Sequence, residues 1–422
     1  MIKPSILAEV TAPSTPPSAT TRKFLPYFEG IRGFFAMYVA LVHFWYRLTE
    51  IRPNLFQYTP FLDHFVAFGH NVIGIFIVIS GYVIGLPVAR DGQTFRGGLG
   101  VFAKRRMLRI LPAYYAALAI AIPISFVVLP HYSEGLALKR QLVSIALHLT
   151  MLHNFFNGVI ETIDSPMWSV AVECDIYILF PFLLVPVARR FGFVAMVVVA
   201  FAVGLLPTLV GALRHEGEYY KLSESCFWYL GLFALGYAAA NVSVDRRPHM
   251  RERFMRWPWG WLALGSALLV MVEVVAAPPR DMLHGSRWLA DIFLGLAVAA
   301  QFTADARARE QGRSTWCERF FSLRPLLFLG TFSYSFYLVH FPIIDFVASF
   351  SRAAWSDAQV AALCAAGLLV SLAVAYIFYV AIERPCMTAY RRRGDAQTLR
   401  STRVAEIPDQ VAAASGTTAT GD

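Results

Sequence analysis

Three groups of side chains in this chain have the type and spacing to do chemistry. Arg32 and His43 stand eleven residues apart. On an α-helix that separation is roughly 16 Å of rise with a return to within about 20° of the starting azimuth, so guanidinium and imidazole share one face, three turns apart. Ser169, Glu173 and Tyr177 follow one another by four, which lines a hydroxyl, a carboxylate and a phenol along one helical stripe. Arg105, Arg106 and Arg109 fall within about one turn and can fork onto phosphate oxygens. Imidazole titrates near neutral pH and can take a proton from a hydroxyl, a carboxylate can orient it, and the arginines can hold an anionic donor. Each group also has a plainer use: Arg32 can snorkel to headgroups, His43 can sit neutral in a core on one hydrogen bond, and the arginine run can set topology against anionic lipid.

The elements that must position these groups are membrane helices. Of 422 residues 57% are hydrophobic and only 15% charged, and the mean hydropathy is +0.52, which excludes a set of soluble domains. The first 20 residues are rich in Pro, Ser and Thr and lack the sustained apolar core of a cleavable signal peptide, so the first span is expected to insert itself. Taking roughly 20 apolar residues per crossing, spans are expected at about 31–47, 70–88, 110–130, 166–188, 191–213, 225–240, 257–277, 287–302, 324–350 and 359–381. The fold class expected is therefore all-α, a polytopic membrane protein with about ten transmembrane helices. Ten spans put both termini on one side, and that side carries 28 of the 37 Lys and Arg residues. The positive-inside rule makes it the cytoplasm. The net charge of +9 is then topological, and nucleic acid is not an expected partner.

Residues 1–25 and 391–422 read as flexible cytoplasmic tails around a membrane domain at 26–390. Gly81 and Gly85, four apart in the second span, allow close helix packing. The segment 131–165 is expected to roof an outward-facing cavity. Seven of the ten histidines fall on the outer side without metal-ligand spacing, and the five cysteines form no CxxC pair, so neither a metal nor a disulfide framework is expected. Glu173, about two turns below the outer surface, needs a partner or a proton. Asp291 and Glu273 lie near span ends, where a structural or cavity-lining role is the better reading. In the ninth span His340 falls in the outer half and Ser333 near the middle. By depth, Arg32, Arg105, Arg106 and Arg109 gather at the inner face and His43, Glu173 and His340 in the outer half. A phosphate-bearing donor could dock from inside while an acceptor meets the imidazoles from outside.

Five segments in order resemble the acyltransferase-3 family of integral-membrane acyltransferases over spans one to ten. Glu29-Gly30-Ile31-Arg32-Gly33 with His43 resembles the opening motif, with Glu29 where Asp is more usual. Phe76-Ile77-Val78-Ile79-Ser80-Gly81-Tyr82 resembles the second-span motif, and Arg105-Arg106-Met107-Leu108-Arg109-Ile110-Leu111-Pro112 the cytoplasmic arginine motif. Trp168-Ser169 with Glu173 and Tyr177 is similar to a fourth motif, although Cys174 and Asp175 depart from the usual filler. The run from Gly330 to His340 is similar to a fifth.

The resemblance implies a membrane O-acyltransferase that moves an acyl group, usually acetyl from cytoplasmic acetyl-CoA, to a hydroxyl of an extracytoplasmic carbohydrate or related cell-surface acceptor. It implies a multi-pass protein of the plasma (inner) membrane, in contact with membrane lipids and without a metal. His43 is then expected to be the general base and Glu173 to orient it, with a covalent acyl-histidine as an open alternative. Arg106 and Arg109, with Arg105, would hold the CoA phosphates, and Arg32 would line the donor path. Trp168, Ser169, Tyr177, Ser333 and His340 would meet the substrate, and His340 could also relay a proton. The competing reading is a transporter or flippase for a lipid-linked sugar or polysaccharide, against which stand the absence of detectable inverted halves and the arginine motif. Label transferred from acetyl-CoA to a glycan separates the two.

Overall fold

The computed structural model describes residues 26–54, 66, 68–132, 138–156, 159–160, 162–214, 225–244, 252–254, 256–276 and 287–387, and these are mostly helical with no strand among them. Both expected tails lie outside the described residues. The principal helices are α1 (Tyr27–Ile51), α2 (Gly69–Arg90), α3 (Gly98–Tyr132), α4 (Leu138–Leu149), α5 (Met167–Leu179), α6 (Val185–Arg214), α7 (Tyr229–Val244), α8 (Trp259–Ala276), α9 (Arg287–Glu310), α10 (Trp316–Phe321), α11 (Arg324–Thr331), α12 (Ser333–Ala348) and α13 (Asp357–Phe378).

Five helical runs among the described residues are long and apolar enough to cross a membrane, and the bent pair α11–α12 makes a sixth. One of the five, Met167–Gly211, is 45 residues long. As a straight helix it would extend roughly 68 Å, more than twice a hydrocarbon core of about 30 Å. Gly192 divides it, with φ 87° and ψ 171°, a conformation open to glycine. The segment expected as one ninth span is broken instead: α11 and α12 meet at 73°. Phe332, at φ −124° and ψ 18°, leaves the helical region and closes α11. Ser333 consequently opens α12, where its hydroxyl donates to Gly330 O at 3.0 Å.

α1 runs between two packed halves. Phe28, Ile31, Val39 and Val42 belong to a core built with α2, α7 and α9. Ala36 and Ala40 belong to a second core built with α3, α12 and α13. α5 straddles the same seam, with Val172 and Ile176 in the first core and Met167 and Val170 in the second. Residues on these two helices between their apolar faces therefore look along the seam, and they include His43 and Glu173.

Two close backbone approaches fix this arrangement. A Cβ on Gly330 would lie 2.1 Å from Glu29 O, and one on Gly33 would lie 2.5 Å from Gly330 N, so α1 and α11 meet backbone to backbone around Arg32. A Cβ on Gly81 would lie 2.1 Å from Phe233 O, the close packing of the second span that its glycine spacing predicts, here against α7. Two π-helical turns follow α5 and α13, at Phe180–Leu184 and Tyr379–Glu383. The second directs Glu383 onto α12, where Ser335 Oγ donates to Glu383 Oε2 at 2.5 Å.

Candidate active site

His43 is half-buried on α1, and fully buried His340 faces it from α12. His43 Nδ1 and His340 Nε2 are 2.8 Å apart, and the rings stack with centroids 5.0 Å apart and planes 18° from parallel. Phe341 closes the other side of His43, edge-on at 5.0 Å. The tautomers follow from the partners. His340 Nδ1 lies 3.0 Å from Phe336 O. A carbonyl only accepts, so Nδ1 of His340 carries the proton and its Nε2, in a neutral ring, is an acceptor. His43 Nδ1 must then donate to it, which leaves the lone pair on His43 Nε2. That nitrogen takes no protein partner among the described residues.

One turn further along both helices, Arg47 and Asp345 form a fork. Arg47 Nε donates to Asp345 Oδ1 at 2.7 Å, and Nη2 meets Oδ2 at 2.5 Å. Both residues are 8% exposed. Arg47 Nη1 also reaches Glu50 Oε2 at 2.6 Å. This bidentate clamp holds α1 against α12 next to the two imidazoles, with geometry a Lys would not supply.

Glu173 has other company. Its Oε1 accepts from Ser80 Oγ at 3.0 Å and from the Tyr177 hydroxyl. Arg32, Arg106 and Arg109 each lie within electrostatic range of both Glu173 and Tyr177, and Arg109 also senses Glu29 and Glu383. Arg32 Nη1 donates to Glu29 Oε1 at 3.0 Å, the first-turn acid of the same helix. The structure thus brings three of the four expected arginines together around the Glu173–Tyr177 pair, while Arg105 is exposed. Arg106 Nε is buried without a hydrogen-bond partner among the described residues, an orphan donor that an anionic ligand can satisfy. The arginines fit a phosphate-bearing donor on that ground.

Tyr337, which is not among the expected site residues, connects these two centres through Ser169, which is. Tyr337, on α12, packs 6.0 Å from His340 between ring centroids. Its hydroxyl lies 2.7 Å from Ser169 Oγ and donates to Pro166 O at 2.9 Å. Ser169 is one turn from Glu173 on the α5 stripe, so the seam is polar from His43 to the arginines. Trp168 stacks on His70, centroids 5.2 Å apart at 14°. Ser333 donates to the Gly330 carbonyl, and among the described residues no hydrogen bond joins it to the groups above.

Among the described residues no hydrogen bond joins Glu173 to His43; His340 occupies the position expected for the carboxylate. Asp291, expected to be structural or cavity-lining, is fully buried and accepts from Asn71 Nδ2 at 2.8 Å and Trp228 Nε1 at 2.9 Å. No group of three or more His, Cys, Asp or Glu side chains among the described residues is arranged to hold a metal ion. Sequence reasoning missed Ser80, Arg47, Asp345 and Glu383. A signal existed for two of them, because Arg47 follows His43 by four and Asp345 follows His340 by five, two opposite charges beside two matched imidazoles.

Residues 25–380 match the acyltransferase domain, and the chain belongs to the acyltransferase-3 family. It is 25% identical over 413 residues to acyltransferase MdmB of Streptomyces mycarofaciens, covering 91% of this chain and 97% of that one. It is 22% identical over 343 residues to O-acetyltransferase OatA of Staphylococcus aureus, covering 78% of this chain. The chain spans about half, 52%, of the length of OatA. No solved structure matches. Helices of membrane-crossing length in a family of integral-membrane acyltransferases make this a multi-pass membrane protein.

Proposed function

We propose that this protein is a membrane O-acyltransferase that moves acetyl from cytoplasmic acetyl-CoA to a hydroxyl of an extracytoplasmic carbohydrate. The observation that carries the reading is the lone pair left on His43 Nε2 by the chain from Phe336 O through His340. In this mechanism His43 Nε2 takes the proton of the acceptor hydroxyl as the oxygen attacks the thioester carbonyl. The C–S bond breaks, and the proton passes from His43 to the departing CoA thiolate. His340 Nε2 accepts from His43 Nδ1–H throughout and shares the positive charge, the role expected of Glu173. Arg47 and Asp345 keep the two helices, and so the two rings, in register.

Glu173 serves the donor side. Its charge and that of Glu29 hold Arg32, Arg106 and Arg109 together when no donor is bound, and the CoA phosphates exchange for those contacts. Trp168, Ser169, Tyr177 and Tyr337 line the way between donor and base. This reading takes ten spans from the apolar runs, and the basic-residue distribution supports both termini in the cytoplasm of a plasma-membrane protein. Cysteine-accessibility labelling of each loop tests that topology.

The activity test is transfer of label from radiolabelled acetyl-CoA to surface glycan in membranes containing the protein or its His43→Ala variant. Labelled glycan with the wild type and none with the variant is expected. Equal labelling by the variant would remove His43 from the mechanism, and no transfer by either would remove acetyl transfer to a carbohydrate. Replacing Arg106 with Ala should raise the acetyl-CoA KM more than that of the acceptor; an unchanged KM would separate Arg106 from the donor.

A further inference from the structure

Two adjoining clefts, of about 500 and 300 Å³, open where α9 ends and α8 begins, and Pro258 lines both. Neither is lined by a residue assigned to the reaction. The end of α9 leads through α10 to α11, and a Cβ on Gly30 would strike Phe321 O, so this is the end of the molecule at which α1 starts. The smaller cleft is walled by Trp259 and Trp261 on one side and Arg307 and Arg313 on the other. Arg253 and Arg256 line the larger, with Glu252 the acid there, 3.5 Å from Arg256. Both clefts are therefore net positive.

The walls are fixed. Trp259 Nε1 donates to Phe254 O at 2.7 Å, Trp257 and Trp259 stack with centroids 5.8 Å apart, and Arg307 Nη1 donates to Trp257 O at 3.1 Å. Only one of the five N–H groups of Arg307 is used in that bond. Below the cleft an apolar stripe runs down α8: Trp261, Leu264, Leu268 and Val272 are exposed, at spacings of three and four that put them on one face. Trp261 is 74% exposed and Val272 63%, so the stripe faces away from the protein along its whole length.

A cluster of arginines beside tryptophans, at the head of an exposed apolar stripe, is complementary to one kind of molecule. We propose that the cleft binds the headgroup phosphate of an anionic diacyl phospholipid, with Arg307 and Arg313 on the phosphate, the tryptophans at the glycerol level and the acyl chains along the α8 stripe. A soluble phosphate meets the arginines but leaves the stripe without a partner. A zwitterionic lipid covers the stripe but brings its own cation to a basic cleft. The bound lipid ties α8 to α9 and, through α10 and α11, supports the start of α1.

The test uses the full chain purified in an uncharged detergent. Thermal unfolding is followed with added phosphatidylglycerol, with phosphatidylcholine and with inorganic phosphate, and native mass spectrometry counts retained lipid. The expected results are a rise of several degrees in Tm with phosphatidylglycerol alone and one retained molecule per chain. Both should be lost in the Arg307→Gln/Arg313→Gln variant and kept in a control of equal charge, Lys139→Gln/Arg140→Gln, at two exposed positions on α4, which lines neither cleft. If the first variant does not fold, Arg307→Lys/Arg313→Lys keeps the charge and should keep the shift. An equal shift with phosphatidylcholine, a shift with inorganic phosphate alone, or loss of the shift in the control would each overturn the proposal.

Discussion

Two buried polar centres in this membrane protein have opposite valence. At Asp291 every oxygen is engaged: Asn71 from α2 takes one and Trp228, at the start of α7, the other, so the carboxylate joins three elements and offers nothing outward. At His43 one ring nitrogen is held and the other is left with a lone pair. Both are ionisable groups inside a helical bundle, the class of residue that is functional by default in a membrane. The difference lies in what each has left to give after the protein has bonded to it. A closed centre is a fastener, and an open one next to a polar seam is a place for a substrate.

The largest effect should separate the two centres directly. Replacing His43 with Ala removes the only base with an open lone pair in the proposed mechanism and should lower transfer by about 10²–10⁴-fold with the protein still inserted. Replacing Asp291 with Asn should leave turnover per folded molecule unchanged and cost roughly 1–3 kcal/mol of stability, because one acceptor becomes a donor facing Asn71 or Trp228. If the Asp291 variant lost transfer while its thermal unfolding stayed put, the distinction between closed and open centres would fail.

A smaller loss should follow at His340, which acts through His43. His340→Leu removes the acceptor for His43 Nδ1–H, freeing the ring to rotate and to exchange tautomers. The expected outcome is a fall in kcat of roughly 10- to 100-fold with little change in either KM, a shifted pH profile, and partial rescue by His340→Gln, whose carbonyl can still accept. A purely structural role would instead lower the amount of folded protein and leave the pH profile alone.

How much of this the sequence discloses depends on the range of the interaction. The all-helical class, the Arg32 and His43 face, the α5 stripe and the gathering of arginines are local or additive properties of residue type and spacing, and each is present. The partner of His43 is not local. His340 lies 297 residues away, and which of several intramembrane polar groups meets it depends on how α12 is rotated and bent. The 73° break at Phe332 is decisive there, and an apolar run carries no mark of it beyond Gly330. Glu173 is expected beside the histidine from its depth and from the family resemblance; instead Ser80 of α2 donates to it and the arginines surround it, a choice of partner that depends on how α2, α3 and α5 are placed in the bundle and that no local spacing carries.

The Arg47–Asp345 clamp lets the comparison be pressed on stability. It is closed like Asp291, yet it lies one turn from the open centre. Asp345→Ala strips a buried guanidinium of its bidentate carboxylate and should cost roughly 3 kcal/mol, toward the lower end for a broken buried pair because Glu50 remains in contact. Since α1 and α12 then lose their register, kcat should fall as well, whereas an Asp291 variant of equal instability keeps it. Parallel loss of kcat in both would mean that stability alone, and not register, governs the imidazole pair.

The smallest effect concerns a third centre, on the segment between α3 and α5. His148 and His153 stack with centroids 3.9 Å apart, and both are fully buried, as is Asp164 of the same segment. His148 Nδ1 lies 2.8 Å from Ser144 O, and burial holds its ring down to about 4 from the usual 6.5. Between those values the unfolded chain takes up a proton that the folded chain refuses, so this contribution is intact above about pH 6.5 and is lost as pH falls toward 4. The loss is at most roughly 3 kcal/mol at one site. His153, which burial holds down to about 3, adds to the same loss, whereas Asp164, which burial pushes well above the usual carboxylate range, works the other way and gains on acidification, so the carboxyl offsets part of the histidine slope. Thermal unfolding of wild type and His148→Gln across pH 4 to 7 isolates the histidine term: the variant should be the flatter on the acid side, and identical curves would place the acid sensitivity elsewhere.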